Sequence, residues 1–544
     1  MLHVTDIYPL KETPDHTHTA VMTKITSLSL FLLPAFGILH AVVPNGYNTP
    51  IPSEIMTPDT VETQFLGKLE FTDGRPTQET ADKLHDHLTY LRAVEVFLNL
   101  MPACSIEAMR LAHVEHGLTA ANHALLAEDL LDSNPLFLTG NTDTVYCSAI
   151  LDLERDGPTV VEIPPKCGPG TLNDAFFRFV VDMGAPGPDR GQGGKYLILP
   201  PDYNGLPITF ANDNSQIPVT TAGVTEHYYV VQSPSYTNWL ILRGFLVDGK
   251  TDTAVKMFRE GLKVYPLAAA ANPPAMEYTK LSEMQINTIH ANNEKFYLEL
   301  NHVIQKEPIS FIDPELRGLV ADIGIQKGNA FQPDAHLQAL LQEAAAVGNA
   351  TARTISLASR DPEILFYPDS QWKMAFVGGD YRWLRDGGLG GRNLNARTLF
   401  FYLATVNTPA MAAKIVGAGS QYAWTERDNS GAYLEGDQQY TLTIPADAPA
   451  KDFWSVVIYD PQTRSELQTD QPFPSRNNKR DPLLENDDGS VTLYFGPEAP
   501  AGKTHNWIQT VPGKGWFTIL RLYGPLEPWF DKTWQPGEIV PGAW

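Results

Sequence analysis

Cysteine is scarce: Cys104, Cys147 and Cys167 are the only three in 544 residues, and none sits in a CxxC or zinc-knuckle spacing. At most one disulfide could form and a thiol would be left over, so a disulfide-stapled scaffold is excluded. Long apolar runs are missing as well. No stretch reaches the ~18 uncharged apolar residues of a membrane-spanning helix, and no transmembrane span is expected. Basic charge is short: 40 Lys and Arg stand against 63 Asp and Glu, for a net charge of −23. With no Lys/Arg stripe to offset that field, nucleic acid is not an expected partner. The chain also lacks a GxSxG elbow, an HExxH pair, a Walker loop and a GxGxxG turn opening a helix after a strand. Those absences remove the enzyme classes built on them. His113 and His116 share a helical face in HVEH, and His85 and His87 do not. Two ligands do not make a metal site, so neither a metal nor a cofactor is expected.

What is present can fold. Hydrophobic residues make up 43% and aromatics 10% of a 60.1 kDa chain. That is too much sequence for one core, and two or three domains are the natural expectation. The 43 prolines and 41 glycines are scattered, as many turns between short strands require. Near the start, the apolar run LSLFLLPAFGIL at 28–39 follows Lys24 and precedes the small residue Ala41. It is too short to span a bilayer but fits a signal-peptide core, read more naturally from Met22 than from Met1. Residues 1–41 are therefore taken as an extension with a signal peptide. The expected location is secreted, periplasmic or at the cell envelope.

Patterning then divides the chain. Residues 42–76, rich in Pro, Thr and Asn, read as an extended arm. From 77 the spacing of Leu88, Leu91, Val94, Phe97 and Leu98 predicts a helix, with a second over Ser105–Arg110. Between about 135 and 245, TVVEIPP, AFFRFVVDMG, KYLILPP and HYYVVQSP read as strands. Helical pattern returns over 251–415, beginning with TDTAVKMFREG, and strands return in YTLTIP, FWSVVIYD, SVTLYFG and GWFTILRLYG. Blocks of helix and strand of this kind favour an α+β architecture over a regular alternation.

FWSVVIYDPQTRSEL, NDDGSVTLYFGPEAPAG and HNWIQTVPGKGWFTILRLYGP, in that order, resemble the domain of unknown function DUF1214. Upstream, LTGNTDTVYCSAILDLERDGPTVVEIPP, FFRFVVDMG and GGKYLILPPDYNG resemble its partner DUF1254, with the Asn-x-Asp-Thr-x-Tyr core at Asn141, Asp143, Thr144 and Tyr146. The resemblance implies two jelly-roll-like antiparallel β domains, at 77–250 and 416–544, joined and decorated by helices. It implies no dependable activity. The loop GAPGPDRGQGGK departs from the usual family text.

Several residues are candidates for chemistry. Asn141 and Asp143 would share one face of an extended segment, with Tyr146 on the other. Asp143 is then a candidate base and Tyr146 a candidate donor; a turn capped by Asn141 and Asp143 is the structural alternative. Arg178 and Asp182 in AFFRFVVDMG would share a strand face, as a substrate-carboxylate anchor or as a structural ion pair. Arg243 is a lone cation after an apolar run, placed to anchor an anion or to snorkel outward. Trp507 and Arg521, with Asn506, Lys514, Trp516 and Tyr523, form a C-terminal set of pocket-lining types. The Gly/Arg/aromatic stretch GGDYRWLRDGGLGGRN at 378–393 is a candidate wall of an inter-domain pocket. Two readings follow. One is a small-molecule pocket framed by two jelly rolls, with metal-free hydrolytic or acid-base chemistry or with binding alone. The other is a structural or assembly protein, a homo-oligomer strapped by the 42–76 arm.

Overall fold

The computed structural model describes residues 49–205, 215–221, 223–542 and 544. The apolar run at 28–39, Ala41 and Met22 lie outside the described residues. The chain divides into two units, one ending at Thr77 and one starting at Gln78.

In the first unit, β1 (Thr60–Thr63), β2 (Gly67–Thr72) and β3 (Arg75–Pro76) form an antiparallel meander. Asp73 and Gly74 both take positive φ, the two-residue turn that matches strand twist. The second half of the expected extended arm is therefore folded.

The second unit begins with α1 (Gln78–Glu115), one continuous helix where two were expected. Pro102 removes an internal hydrogen bond, yet every residue from Leu100 to Met109 is buried, and packing holds the helix together across it. The first β domain follows. Its strands are β4 (His123–Leu126), β5 (Thr144–Asp152), β6 (Thr159–Ile163), β7 (Gly170–Asp174), β8 (Phe179–Met183) and β9 (Gly194–Leu199). It continues with β10 (Ile217–Thr221), β11 (Val224–Gln232), β12 (Thr237–Phe245), β13 (Lys263–Pro266) and β14 (Glu277–Lys280). Two sheets result, β10-β11-β9-β6-β13 and β14-β4-β5-β12-β7-β8. The single turn α2 (Leu153–Asp156) and the helix α3 (Asp252–Gly261) decorate them. β13 and β14 come from the stretch read as connecting helices and add a strand to each sheet.

Helices α4 (Lys295–Lys306), α5 (Pro314–Asp322), α6 (Ala335–Leu357) and α7 (Leu394–Leu403) lead into the second β domain, with the short turn α8 (Pro409–Ala412). Asn393 caps α7 by accepting from the Ala396 amide at 3.1 Å. The second domain is built from β15 (Lys373–Met374), β16 (Ser420–Thr425), β17 (Tyr440–Ile444), β18 (Ala450–Tyr459) and β19 (Ser475–Asn477). It is completed by β20 (Val491–Gly496), β21 (Trp507–Gln509), β22 (Phe517–Pro525) and β23 (Val540–Pro541). Its sheets run β15-β16-β22-β18-β19 and β21-β20-β17-β23. The unit is thus mixed helix and sheet. The sheets are not wholly antiparallel as expected, because β9/β11, β4/β14 and β20/β21 are parallel pairs. Among the described residues no helix is long and apolar enough to cross a membrane.

Strand alternation sorts the side chains of the described residues into three main cores and a smaller one, Val160, Leu197, Leu199, Val219, Tyr228 and Tyr265, on the far face of the β6-β9-β11 sheet. Even-numbered residues of β12 (Leu240, Leu242) and odd ones of β5 (Val145, Cys147) pack against Val161, Tyr196 and Ile198 of the opposite sheet. Leu520, Leu522, Val456 and Ile458 do the same against Leu442, Leu493 and Phe495 in the second domain. The other faces, carrying Trp239, Ile241, Tyr459 and Phe517, join Phe97, Phe296 and Phe400 of the helices in a third core that links the two domains. Each fully buried Val, Leu or Phe contributes roughly 1.5–3 kcal/mol, so parity along these strands is strongly fixed. All three cysteines are buried free thiols.

Candidate functional site

The parity that builds the third core also places polar residues on it. Tyr146 of β5 lies directly opposite Arg243 of β12, with the guanidinium 5.9 Å from the ring centre. In the second domain Arg521 of β22 lies between Tyr422 of β16 and Ser455 of β18. These two rows face each other where the domains meet.

One part of the junction is a clasp. The segment before β5 turns rather than extends. Asn141 Oδ1 accepts from the Asp143 amide at 3.0 Å, and Asn141 Nδ2 donates to the Tyr146 hydroxyl. Asn141 and Tyr146 are therefore joined, not on opposite faces as expected, because the turn ends the alternation at Thr144. Asp143 points the other way, into the second domain. Its Oδ2 accepts from Ser455 and, at 3.0 Å, from the Tyr523 hydroxyl; its Oδ1 accepts from Asn477 Nδ2 at 3.0 Å. Thr142 and Ser475 share a hydroxyl hydrogen bond of 2.6 Å, and Arg480 donates to the Thr142 carbonyl at 2.8 Å. The Tyr459 hydroxyl and Arg521 Nη2 donate to the carbonyls of Gly140 and Thr139 at 2.6 and 2.8 Å. A buried carboxylate is stable only with such partners, and Asp143 is fully buried with three.

Beside the clasp is a cavity of about 70 Å³. Its polar lining includes Asn141, Tyr146, Arg243, Tyr422 and Arg521, and its apolar wall includes Phe137, Phe376, Phe400, Trp424 and Ile519. Neither Arg243 nor Arg521 forms a salt bridge with a carboxylate among the described residues; around them stand the tyrosines 146, 422, 459 and 523, with Asp182 acting on Arg243 and Asp143 and Glu466 on Arg521 at longer range. Arg521 Nη1 and Trp424 Nε1 are buried without a partner. Burial holds the Tyr146 phenol above its ordinary value, opposed by the charges of Arg243 and Arg521. Next to Gly140, Glu466 is buried with both carboxyl oxygens unpartnered, and burial pushes it well up, with Arg521 opposing.

Arg243 also faces a second, smaller cavity of about 30 Å³ with Asp182, Thr171 and Thr408. Asp182 Oδ2 accepts from the Thr408 hydroxyl at 2.7 Å, and burial lifts its carboxyl to about 6 against the pull of Thr408, Thr171 and Arg243. The chain from α7 to α8 lines both cavities through Val406 and Met411. It is tied to the first domain by Asn173, whose side chain donates to the Asn407 carbonyl at 2.7 Å and accepts from its amide at 3.0 Å. Val406 takes a φ of 69°, a costly conformation for a β-branched residue, of a kind found where function requires it.

The other expected site residues lie elsewhere. Arg178 precedes β8 and pairs with Asp174 at 2.5 Å, not with Asp182, because the turn before Phe179 ends the alternation that would have aligned them. Trp507 donates to the Gly496 carbonyl at 2.9 Å in the outer sheet of the second domain. Lys514 pairs with Asp460, and His113 bonds the Met109 carbonyl and Ser148. The stretch 378–393 does not line the cavity, whereas its neighbours Phe376 and Phe400 do. Tyr422, Ser455, Glu466, Asn477 and the 404–411 segment were not singled out from sequence. Only the register of β16, β18 and β22 could have found the first two.

The family model for DUF1254, described as a protein of unknown function, matches residues 121–266, and that for DUF1214, described likewise, matches 419–527. The chain carries a DUF1254 domain followed by a DUF1214 domain. The clasp and the cavity are built from both: Asn141, Asp143, Tyr146, Asp182 and Arg243 come from DUF1254, and Tyr422, Ser455, Asn477, Arg521 and Tyr523 from DUF1214. No curated protein matches the chain. Among solved structures, the VPA0106 protein from Vibrio parahaemolyticus is 17% identical, with a TM-score of 0.49, over 84% of this chain and 100% of its own. An uncharacterized protein from Burkholderia cenocepacia is 13% identical, with a TM-score of 0.35, over 85% of this chain and 97% of its own.

Proposed function

We propose that the protein binds a small organic carboxylate in the cavity between its DUF1254 and DUF1214 domains. One observation supports this reading: two buried guanidinium groups, Arg243 and Arg521, face one cavity and neither forms a salt bridge among the described residues, Asp182, Asp143 and Glu466 acting on them only at longer range. Burying an unpaired cation is costly, and an incoming anion with parallel oxygens would relieve that cost. The aromatic wall suits a short hydrocarbon body, and the volume admits on the order of five or six non-hydrogen atoms. In this reading Asp143 is a positioning residue that fixes the domain junction, and Tyr146 is the group placed to hand a proton to bound ligand. The jelly-roll-like pair of domains supplies the rigid walls. Export, proposed from the 28–39 run, would put the site outside the cytoplasm.

The test is a thermal-shift panel of short carboxylates against inorganic phosphate, using the whole chain. A carboxylate at a hundredfold excess over its Kd should stabilise by about 2.7 kcal/mol, raising the midpoint of wild type and not of Arg521→Met. No shift with any carboxylate, or an equal shift in Arg521→Met, would overturn the proposal.

A further inference from the structure

The smaller cavity on the far side of Arg243 narrows the ligand class. The two cavities share Arg243, Val406 and Met411. A volume of about 30 Å³ holds one or two non-hydrogen atoms. Asp182 lies on its wall with 7% of its surface exposed. One of its oxygens is taken by Thr408, and the other, Oδ1, is buried and accepts no hydrogen bond among the described residues. Of the nearby hydroxyls, Thr408 is spent on Oδ2, Ser420 is bonded to the Tyr422 hydroxyl, and Thr171, opposite Asp182 in the strand pair, donates to the Val181 carbonyl at 3.3 Å while also pulling on the Asp182 carboxyl. A buried acceptor without a donor is an unfavourable arrangement that a ligand donor would cure. The positive charge of Arg243 in the same wall opposes an ammonium there and leaves a neutral hydroxyl as the fitting donor.

Building on the carboxylate reading above, we propose that the ligand is a small hydroxycarboxylic acid. Its carboxylate rests against Arg243 and Arg521 in the larger cavity, and its hydroxyl enters the smaller one to donate to Asp182 Oδ1. A site shaped to receive a hydroxyl discriminates strongly against the analogue lacking it, since that analogue leaves the buried acceptor unpaired.

Isothermal titration of the full chain at pH 8 with butyrate, 3-hydroxybutyrate, 4-hydroxybutyrate and 4-aminobutyrate separates the possibilities. At least one hydroxy acid should bind tenfold or more tightly than butyrate, and 4-aminobutyrate should gain nothing. Asp182→Asn should turn its amide nitrogen toward the cavity and cut that preference, read as the ratio of hydroxy-acid to butyrate affinity in the same variant, below threefold. Thr408→Val, which leaves Oδ1 in place, should retain the preference. Equal binding of butyrate and both hydroxy acids, or a preference for the amine, overturns this inference while the carboxylate reading stands. Failure of every carboxylate to bind overturns both.

Discussion

Asp143 and Arg243 belong to the same domain and the same buried junction, at 0% and 8% exposure, yet their surroundings are opposite. The aspartate is met by Ser455, Asn477 and Tyr523 from three strands of the other domain. The arginine meets tyrosines, lines two cavities and forms no salt bridge among the described residues, Asp182 acting on it only at longer range. A charge whose partners are all supplied by the chain serves the fold. In the proposed reading, a charge the chain buries without an ion-pair partner serves something from outside it. The two β domains are therefore joined through Asp143 at one point and together line a cavity immediately beside it.

Mutations can break this contrast. Asp143→Ala should have the largest effect, about 3–5 kcal/mol of lost stability by urea unfolding, because three buried donors lose their acceptor. A loss below 1 kcal/mol would dissolve the distinction between clasp and cavity. The next effect is a pH dependence on the cavity side. Asp182 has its carboxyl raised from 3.8 to about 6, so the native state holds this proton more tightly than the unfolded chain. Its contribution is most favourable below pH 4 and is lost as pH rises from about 4 to 6, by on the order of 3 kcal/mol. Unfolding midpoints measured across that range should show this downward component in wild type and not in Asp182→Asn. Tyr523→Phe removes one of three donors to Asp143 and should cost about 1 kcal/mol, with ligand affinity intact by titration. Trp507→Phe should be the mildest, under about 1 kcal/mol, and should leave ligand binding unchanged, since its indole serves only the Gly496 carbonyl.

Much of this was legible in the residues, and the boundary of legibility is physical. Alternation in FTILRLYGP and TNWLILRGF marks strands and makes Arg243 and Arg521 conspicuous as lone cations among apolar neighbours. Their convergence was not legible, because it depends on which sheet faces which; Asn477 and Asp143 are 334 positions apart. Local alternation also misled where a turn interrupts it. Arg178 was aligned with Asp182 and in fact pairs with Asp174, and Asn141 was set opposite Tyr146 and in fact bonds it. Pro102 lies inside α1, and burial on every side of the stretch from Leu100 to Met109 carries the helix through it. The 404–411 segment has no periodic pattern at all, so its place in both cavity walls comes from tertiary contacts alone.

The most direct measurement is the unfolding free energy of Arg243→Met beside wild type, both without ligand. If the guanidinium is kept for a ligand, an apolar side chain of similar length should leave stability unchanged or raise it by about 1–4 kcal/mol while abolishing carboxylate binding. A fall of 3 kcal/mol or more would mean that Arg243 holds the fold together as Asp143 does, and that the cavity is a by-product of packing.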